Sequence, residues 1–190
     1  MGVRLRQATN DDLAVLLERC CAEELTYAPT GCSLHGMAPA GLKRRNWSVP
    51  LPAETFRSAC DAIRSWSVHR GAGLAIAVDG AVAVGTNVAF SAPLPVGYVH
   101  GTCRIVAVVD EADRFGFAYG TLPEHPERGE ESFLVVRDGH GDVRFDVVGV
   151  SRPAQPIARL LPFIADRLQD TAVHRYLSAI TRAVAAGSTT

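Results

Sequence analysis

The residues able to do proton chemistry gather in one short stretch. His125, Glu127, Glu130 and Glu131 lie between two apolar segments, and each can act as a general acid or base. Glu131 stands two residues before Phe133, so on a regular strand it shares that apolar face. A carboxyl on such a face titrates above its ordinary range and can hold a proton near neutral pH. A solvated hairpin held by Arg128 accounts for the same residues without any chemistry. Tyr119 and Tyr27 add rings that bury readily and hydroxyls that need a partner, either a ligand oxygen or a backbone acceptor. Glu131, His125, Tyr119 and Tyr27 are therefore the catalytic candidates. His69 and Arg70 close a helix, where positive charge complements the dipole; the alternative is a polar pair at the mouth of a cavity.

Other chemistries find no support. The five cysteines, Cys20, Cys21, Cys32, Cys60 and Cys103, have neither knuckle nor redox spacing, and suit the reduced thiols of a cytoplasmic protein. Cys103 sits among Ile105 and Ala107 with no basic neighbour in sequence, as a small core residue would. There is no glycine-rich phosphate loop, nucleophile elbow or histidine pair at ligand spacing, so no cofactor and no metal are expected. A formal charge of −1 draws the chain to neither nucleic acid nor anionic membrane. The basic run Lys43, Arg44 and Arg45 reads as a solvated loop. No apolar stretch approaches the roughly 20 residues of a membrane span, and Met1 to Thr9 lack a secretory pattern.

The elements that must position these groups follow from periodicity. Val3 to Gln7 alternates like a short strand. Thr9 or Asn10 can cap a helix with Leu13, Leu16, Leu17 and Cys20 on one face. Residues 28–52, rich in proline and glycine, read as a long loop. A second helix spans about Ala53 to Trp66, with Phe56, Ala59, Cys60 and Ile63 at helical spacing. Six period-two segments follow. They are marked by Leu74 to Val78, Val84 to Phe90, Cys103 to Val109, Phe115 to Tyr119, Phe133 with Val135, and Val143 to Val147. Short turns between them require antiparallel pairing. In the third, Cys103, Ile105, Ala107 and Val109 share a face; in the fourth, Phe115, Phe117 and Tyr119 do. A helical pattern then runs through Ile157, Leu161, Ile164, Leu168, Tyr176, Ile180 and Val184, roughly 40 Å long at 1.5 Å per residue. Pro156 can begin it, and Pro162 should kink it or mark its start. Residues 1–190 thus make a single α+β domain with a short tail at 187–190.

This order resembles the helix-grip fold of the START and Bet v 1 superfamily, a curved antiparallel sheet of about seven strands around a long C-terminal helix. A hot-dog fold would place its helix between early strands; here the longest helix comes last. The segment from Arg114 to Glu131 is the most distinctive. With Leu25-Thr26-Tyr27, Trp66 to Gly73, Cys103-Arg104, Val108 to Glu111, Ser151 to Ala154 and Arg175 to Leu177, it resembles the DUF1990 (UPF0548-like) family. The resemblance covers nearly the whole chain and implies no established reaction. The sequence departs from the family pattern at Leu42, where Tyr is expected, at Arg44, where His is, and near Ala107 and Val150, where aromatic residues are.

The fold resemblance implies a cavity between sheet and helix, lined by Phe115, Phe117, Cys103, Ala107, Phe133, Phe145, Val150 and Leu42. The expected partner is an apolar small molecule, bound by a monomer or homodimer. Two function classes follow. One is a cofactor-independent cyclase, hydratase or isomerase, favoured by a buried acid–base pair. The other is a non-catalytic carrier of a lipid-like or aromatic compound, favoured by a uniformly apolar cavity.

Overall fold

The computed structural model describes residues 4–154 and 162–187. Helix α1 (Asn10–Cys20) opens on a capping box: Thr9 Oγ1 accepts from Asp12 N at 3.2 Å, and Asp12 Oδ2 accepts from Thr9 N at 2.8 Å. Strand β1 (Lys43–Leu51) leads through a single 3-10 turn to α2 (Phe56–Arg64) and the short α3 (Ser67–Gly71). Strands β2 (Ala75–Val78), β3 (Asn87–Pro93), β4 (Tyr98–Asp110), β5 (Arg114–Thr121), β6 (Glu127–Arg137) and β7 (Val143–Pro153) follow, and α4 (Pro162–Gly187) ends the description.

The seven strands form one sheet in the order β1-β7-β6-β5-β4-β3-β2, every pair antiparallel. Consecutive strands from β2 to β7 are neighbours, as the short turns require. β1 returns to pair with β7. One face of the sheet buries the main core against α2, α3 and α4, with Phe117, Phe133, Phe145, Ile63 and Ile180 fully enclosed. The other face carries α1, which packs Leu13 against Ala89, and the segment from residue 21 to 42. This is the expected α+β helix-grip arrangement, with α4 held by the concave side of the sheet.

Several local expectations are corrected. Val3 to Gln7 forms no strand among its described residues; Arg4 makes one isolated bridge to Tyr98. Residues 43–51, within the presumed loop, are β1. The basic run is thus strand: Lys43 and Arg45 reach Asp166 on α4, while Arg44 points to the opposite face and donates to Cys32 O and Ser33 O at 3.2 Å. In β4 a bulge between Ile105 and Ala107 inserts one residue, so the phase reverses. Val108 then pairs with the inward Phe117, and Ala107 pairs with Ala118 on the outer face. Ala107 is therefore excluded from the concave wall. Of the last helix, Ile157 and Leu161 lie outside the described residues, whereas Tyr176, Ile180 and Val184 are buried as their spacing predicts.

Candidate functional site

Strand register decides which side chains meet. Ile105, Tyr119, Glu131, Gly149 and Arg45 are paired in one line across β4, β5, β6, β7 and β1. Directly paired residues share a face. The line therefore places Tyr119 beside Glu131 on the concave side, where the Tyr119 hydroxyl donates to Glu131 Oε2 at 3.0 Å. The next line sets Phe117 beside Phe133, with ring centroids 5.7 Å apart. Burial, reinforced by the nearby charge of Glu127, pushes the Glu131 carboxyl up to about 8. The Tyr119 bond opposes that shift only in part. Burial also drives the Tyr119 hydroxyl and the Cys103 thiol well above their ordinary ranges.

A second polar group lies beyond this pair. Glu127 Oε2 accepts from Ser151 Oγ at 2.6 Å and from Gln169 Nε2 at 3.3 Å. Gln169 Oε1 in turn accepts from Arg45, which also pairs with Asp166. Gly149 lets α4 approach here: a Cβ on it would lie 3.1 Å from Gln169 Nε2 and 3.5 Å from the Trp47 ring. Glu127, Glu131 and Gln169 are only half-buried. The aromatic end is closed. Phe117, Tyr119, Phe133, Tyr176 and Trp66 surround the fully buried imidazole of His69, with centroids 4.7 to 6.2 Å from it.

The remaining candidates divide by face. Phe115, Cys103, Phe133 and Phe145 stand on the concave side. Phe115 lies toward α2, beneath the Arg64 guanidinium at 4.0 Å. Tyr27 lies on the opposite side of the sheet, because its hydroxyl donates at 2.5 Å to Glu130, the neighbour of Glu131 with reversed direction. Val150 pairs with Glu130 and faces that outer side too, which removes it from the concave wall. Leu42 lies outside β1, in the turn before it, where its N donates to Pro39 O at 3.0 Å. His125 is half-buried in the β5–β6 turn against the Phe90 ring, 5.4 Å away, and its Nδ1 accepts from Glu127 N at 3.0 Å. Burial lowers its pKa to about 4.

The expected cap role of His69 is also corrected. Trp66 adopts a left-handed conformation, φ 61°, which ends α2 and redirects the chain into α3. The turn aims His69 into the core, while Arg70 stays outside and donates to Ser65 O at 2.7 Å. A positive φ at tryptophan has no local sequence signal. Gln169 was hidden for a different reason: helical spacing marks the buried face of α4, where Tyr176 was expected, without telling which side chain meets a carboxyl. Among the described residues no cluster of metal-ligating side chains occurs, and no helix is long and apolar enough to cross a membrane. All five cysteines are free thiols.

A curved antiparallel sheet closed on a long final helix is the helix-grip fold, seen also in START and Bet v 1 proteins. Human STARD10 superposes with a TM-score of 0.51 at 12% identity, over 91% of this chain and 80% of its own. The Zhui aromatase/cyclase of a Streptomyces species does so with a TM-score of 0.50 at 12% identity, over 75% and 93%. Residues 26–179 match the domain of unknown function DUF1990, and the chain belongs to that family. A UPF0548 protein of Deinococcus radiodurans is 33% identical over 195 aligned positions, covering 94% of this chain and 97% of the relative.

Proposed function

We propose that this protein binds an apolar small molecule between its sheet and α4 and acts on it by acid–base chemistry without a cofactor, as a cyclase, hydratase or isomerase does. The observation that carries the reading is the Glu131–Tyr119 pair. Its carboxyl holds a proton at neutral pH, keeps accessible surface, and stands at the edge of an aromatic wall. A neutral carboxylic acid in such a place donates a proton to a carbonyl or hydroxyl oxygen, and the carboxylate recovers one from carbon or water. A wall built only to hold an apolar guest needs no carboxyl, and burying one opposes folding. The aromatase/cyclase likeness supports the fold of such an enzyme and leaves its substrate open.

Native mass spectrometry of freshly purified protein tests the binding step, with a co-purified small molecule as the expected result. That molecule, extracted and returned to apo protein, should be transformed by wild type and bound but unchanged by Glu131→Gln. Equal turnover by the variant would remove Glu131 from the chemistry. Binding without change by wild type would make the protein a carrier, the reading that the aromatic wall alone favours.

A further inference from the structure

The outward face of α4 carries polar side chains that neither the core nor the interior chemistry uses. Val173, Tyr176, Ile180 and Val184 turn inward and are buried. Thr171, His174, Ser178 and Arg182 are exposed. Spacings of three and four residues stack these four along one side of the helix. Together with Arg175, and with Gly71 at the end of α3, they line an open groove of about 410 Å³. That volume falls in the range of small-molecule sites, roughly 300 to 1,000 Å³.

The two arginines of this groove are anchored and left charged. Arg175 donates to Pro93 O, at the end of β3, at 2.8 Å, and Arg182 donates to Gly71 O at 2.9 Å. Each bond uses one of the five N–H donors of a guanidinium and cancels none of its charge. Among the described residues neither arginine pairs with a carboxylate, whereas Arg6, Lys43, Arg45, Arg64, Arg114 and Arg144 all do. No acidic side chain lines the groove. Asp170 stands one turn before His174 on the same side of the helix and lies outside the lining. Tying α4 to β3 and α3 accounts for the two carbonyl bonds and leaves both charges unanswered. A guanidinium already anchored gives up little further freedom when it meets an anion.

We propose that this groove binds a soluble small molecule through a diphosphate group. Phosphate oxygens match the guanidinium fork, and Ser178, between the two arginines in sequence, adds a hydroxyl donor. Seven residues separate Arg175 from Arg182, so their roots stand roughly 10 Å apart along the helix at 1.5 Å per residue. A single phosphate meets one of them; a diphosphate, with acidic oxygens at both ends, meets both. A soluble ligand fits better than a membrane surface. The formal charge is −1, and two arginines fall short of the roughly four to eight basic residues with which chains hold anionic lipid. The groove lies on the face of α4 turned away from Tyr176 and the core, so the proposal does not rest on the interior site.

Calorimetry at low ionic strength with inorganic pyrophosphate, inorganic phosphate and succinate tests this. Pyrophosphate should bind as one equivalent, about tenfold tighter than either of the others, and its affinity should fall as salt is added. Arg175→Gln and Arg182→Gln should each weaken it about tenfold, the loss of a charge-assisted hydrogen bond. Both variants also give up a tie to a backbone carbonyl, so Ser178→Glu supplies an independent check. It leaves both ties in place, sets a carboxylate in the groove, and should abolish binding. In wild type, pyrophosphate should move the backbone amide signals of Gly71 and of residues 171–182 and leave those around Glu131 where they are. Signals that move elsewhere, binding undiminished in Ser178→Glu or in either arginine variant, or succinate held as tightly as pyrophosphate would overturn the inference. So would sedimentation with vesicles of phosphatidylcholine and phosphatidic acid in a protein that ignores pyrophosphate, which would make the groove a headgroup surface. None of these outcomes bears on turnover at Glu131, so the two proposals fail separately.

Discussion

Two adjacent carboxyls, Glu130 and Glu131, show how strand parity assigns chemistry. Glu131 faces the core, where one hydroxyl contacts it and burial favours its protonated form. Glu130 faces the other way and accepts from the Tyr27 hydroxyl, Gly31 N at 2.7 Å, Ser33 N at 2.9 Å and the Ser33 hydroxyl. The difference makes a prediction about pH. The folded state lifts Glu131 from its ordinary 4.5 to about 8. Between those values the unfolded chain has released the proton while the folded one keeps it. Stability from this residue is thus complete below 4.5 and lost as pH rises through 8. Glu131→Gln keeps the shape and removes the titration. Its stability relative to wild type should rise across that window by on the order of a few kcal/mol, read from urea midpoints. Parallel profiles would show that Glu131 is not protonated in the fold. His69, lowered from 6.5 to about 3, acts in the opposite sense: its contribution is present above 6.5 and lost on acidification.

At the scale of elements, periodicity carried far. The inward placement of Phe115, Phe117, Tyr119 and Glu131 follows from period two alone, as does the buried face of α4. Three features escaped it. β1 does alternate Arg45, Trp47, Val49 and Leu51, but charged residues at inward positions and Pro50 obscured the pattern. The β4 bulge adds one residue without altering composition, so Ala107 was assigned to the wrong face. The partner of Glu130 comes from a segment about a hundred residues away, which no local pattern can supply. That segment, between α1 and β1, is pinned by the Glu130 bonds and by the Thr26 N bond to Thr121 O at 3.0 Å. Glu130→Ala should cost about 3 kcal/mol, because it strands several buried donors. Limited proteolysis should then cut between residues 21 and 42 while the sheet signal in circular dichroism persists. Unchanged protease resistance would mean that Glu130 does not hold the segment.

For the whole molecule, the grip depends on ties between the edge of the sheet and the start of α4. Lys43 Nζ reaches Asp166 at 2.8 Å, Arg45 joins the same carboxylate, and Gln169 links Arg45 to Glu127. These contacts surround the half-buried polar end at which Glu127 and Glu131 stand. A guest that fills this interior binds only the folded chain, so it should raise the unfolding temperature as its concentration rises. A scan of 2-naphthol against melting temperature checks this, and a flat response at saturating probe would contradict an interior site.

The position of β1 at one end of the sheet order has a consequence for how the molecule meets its own copies. An end strand is a template on which another chain can lay itself down and begin a fibril or precipitate. Pro50 removes an amide donor from this strand, and the exposed Lys43, Asn46 and Ser48 keep its surface wet. The triple substitution Asn46→Val, Ser48→Val, Pro50→Thr should leave the inward residues Trp47, Val49 and Leu51 in place and make the strand adhesive. Sedimentation over rising concentration should then show association beyond that of wild type. The residues that made this stretch look like a loop are the ones that let its outer edge stay unpaired in a crowded solution.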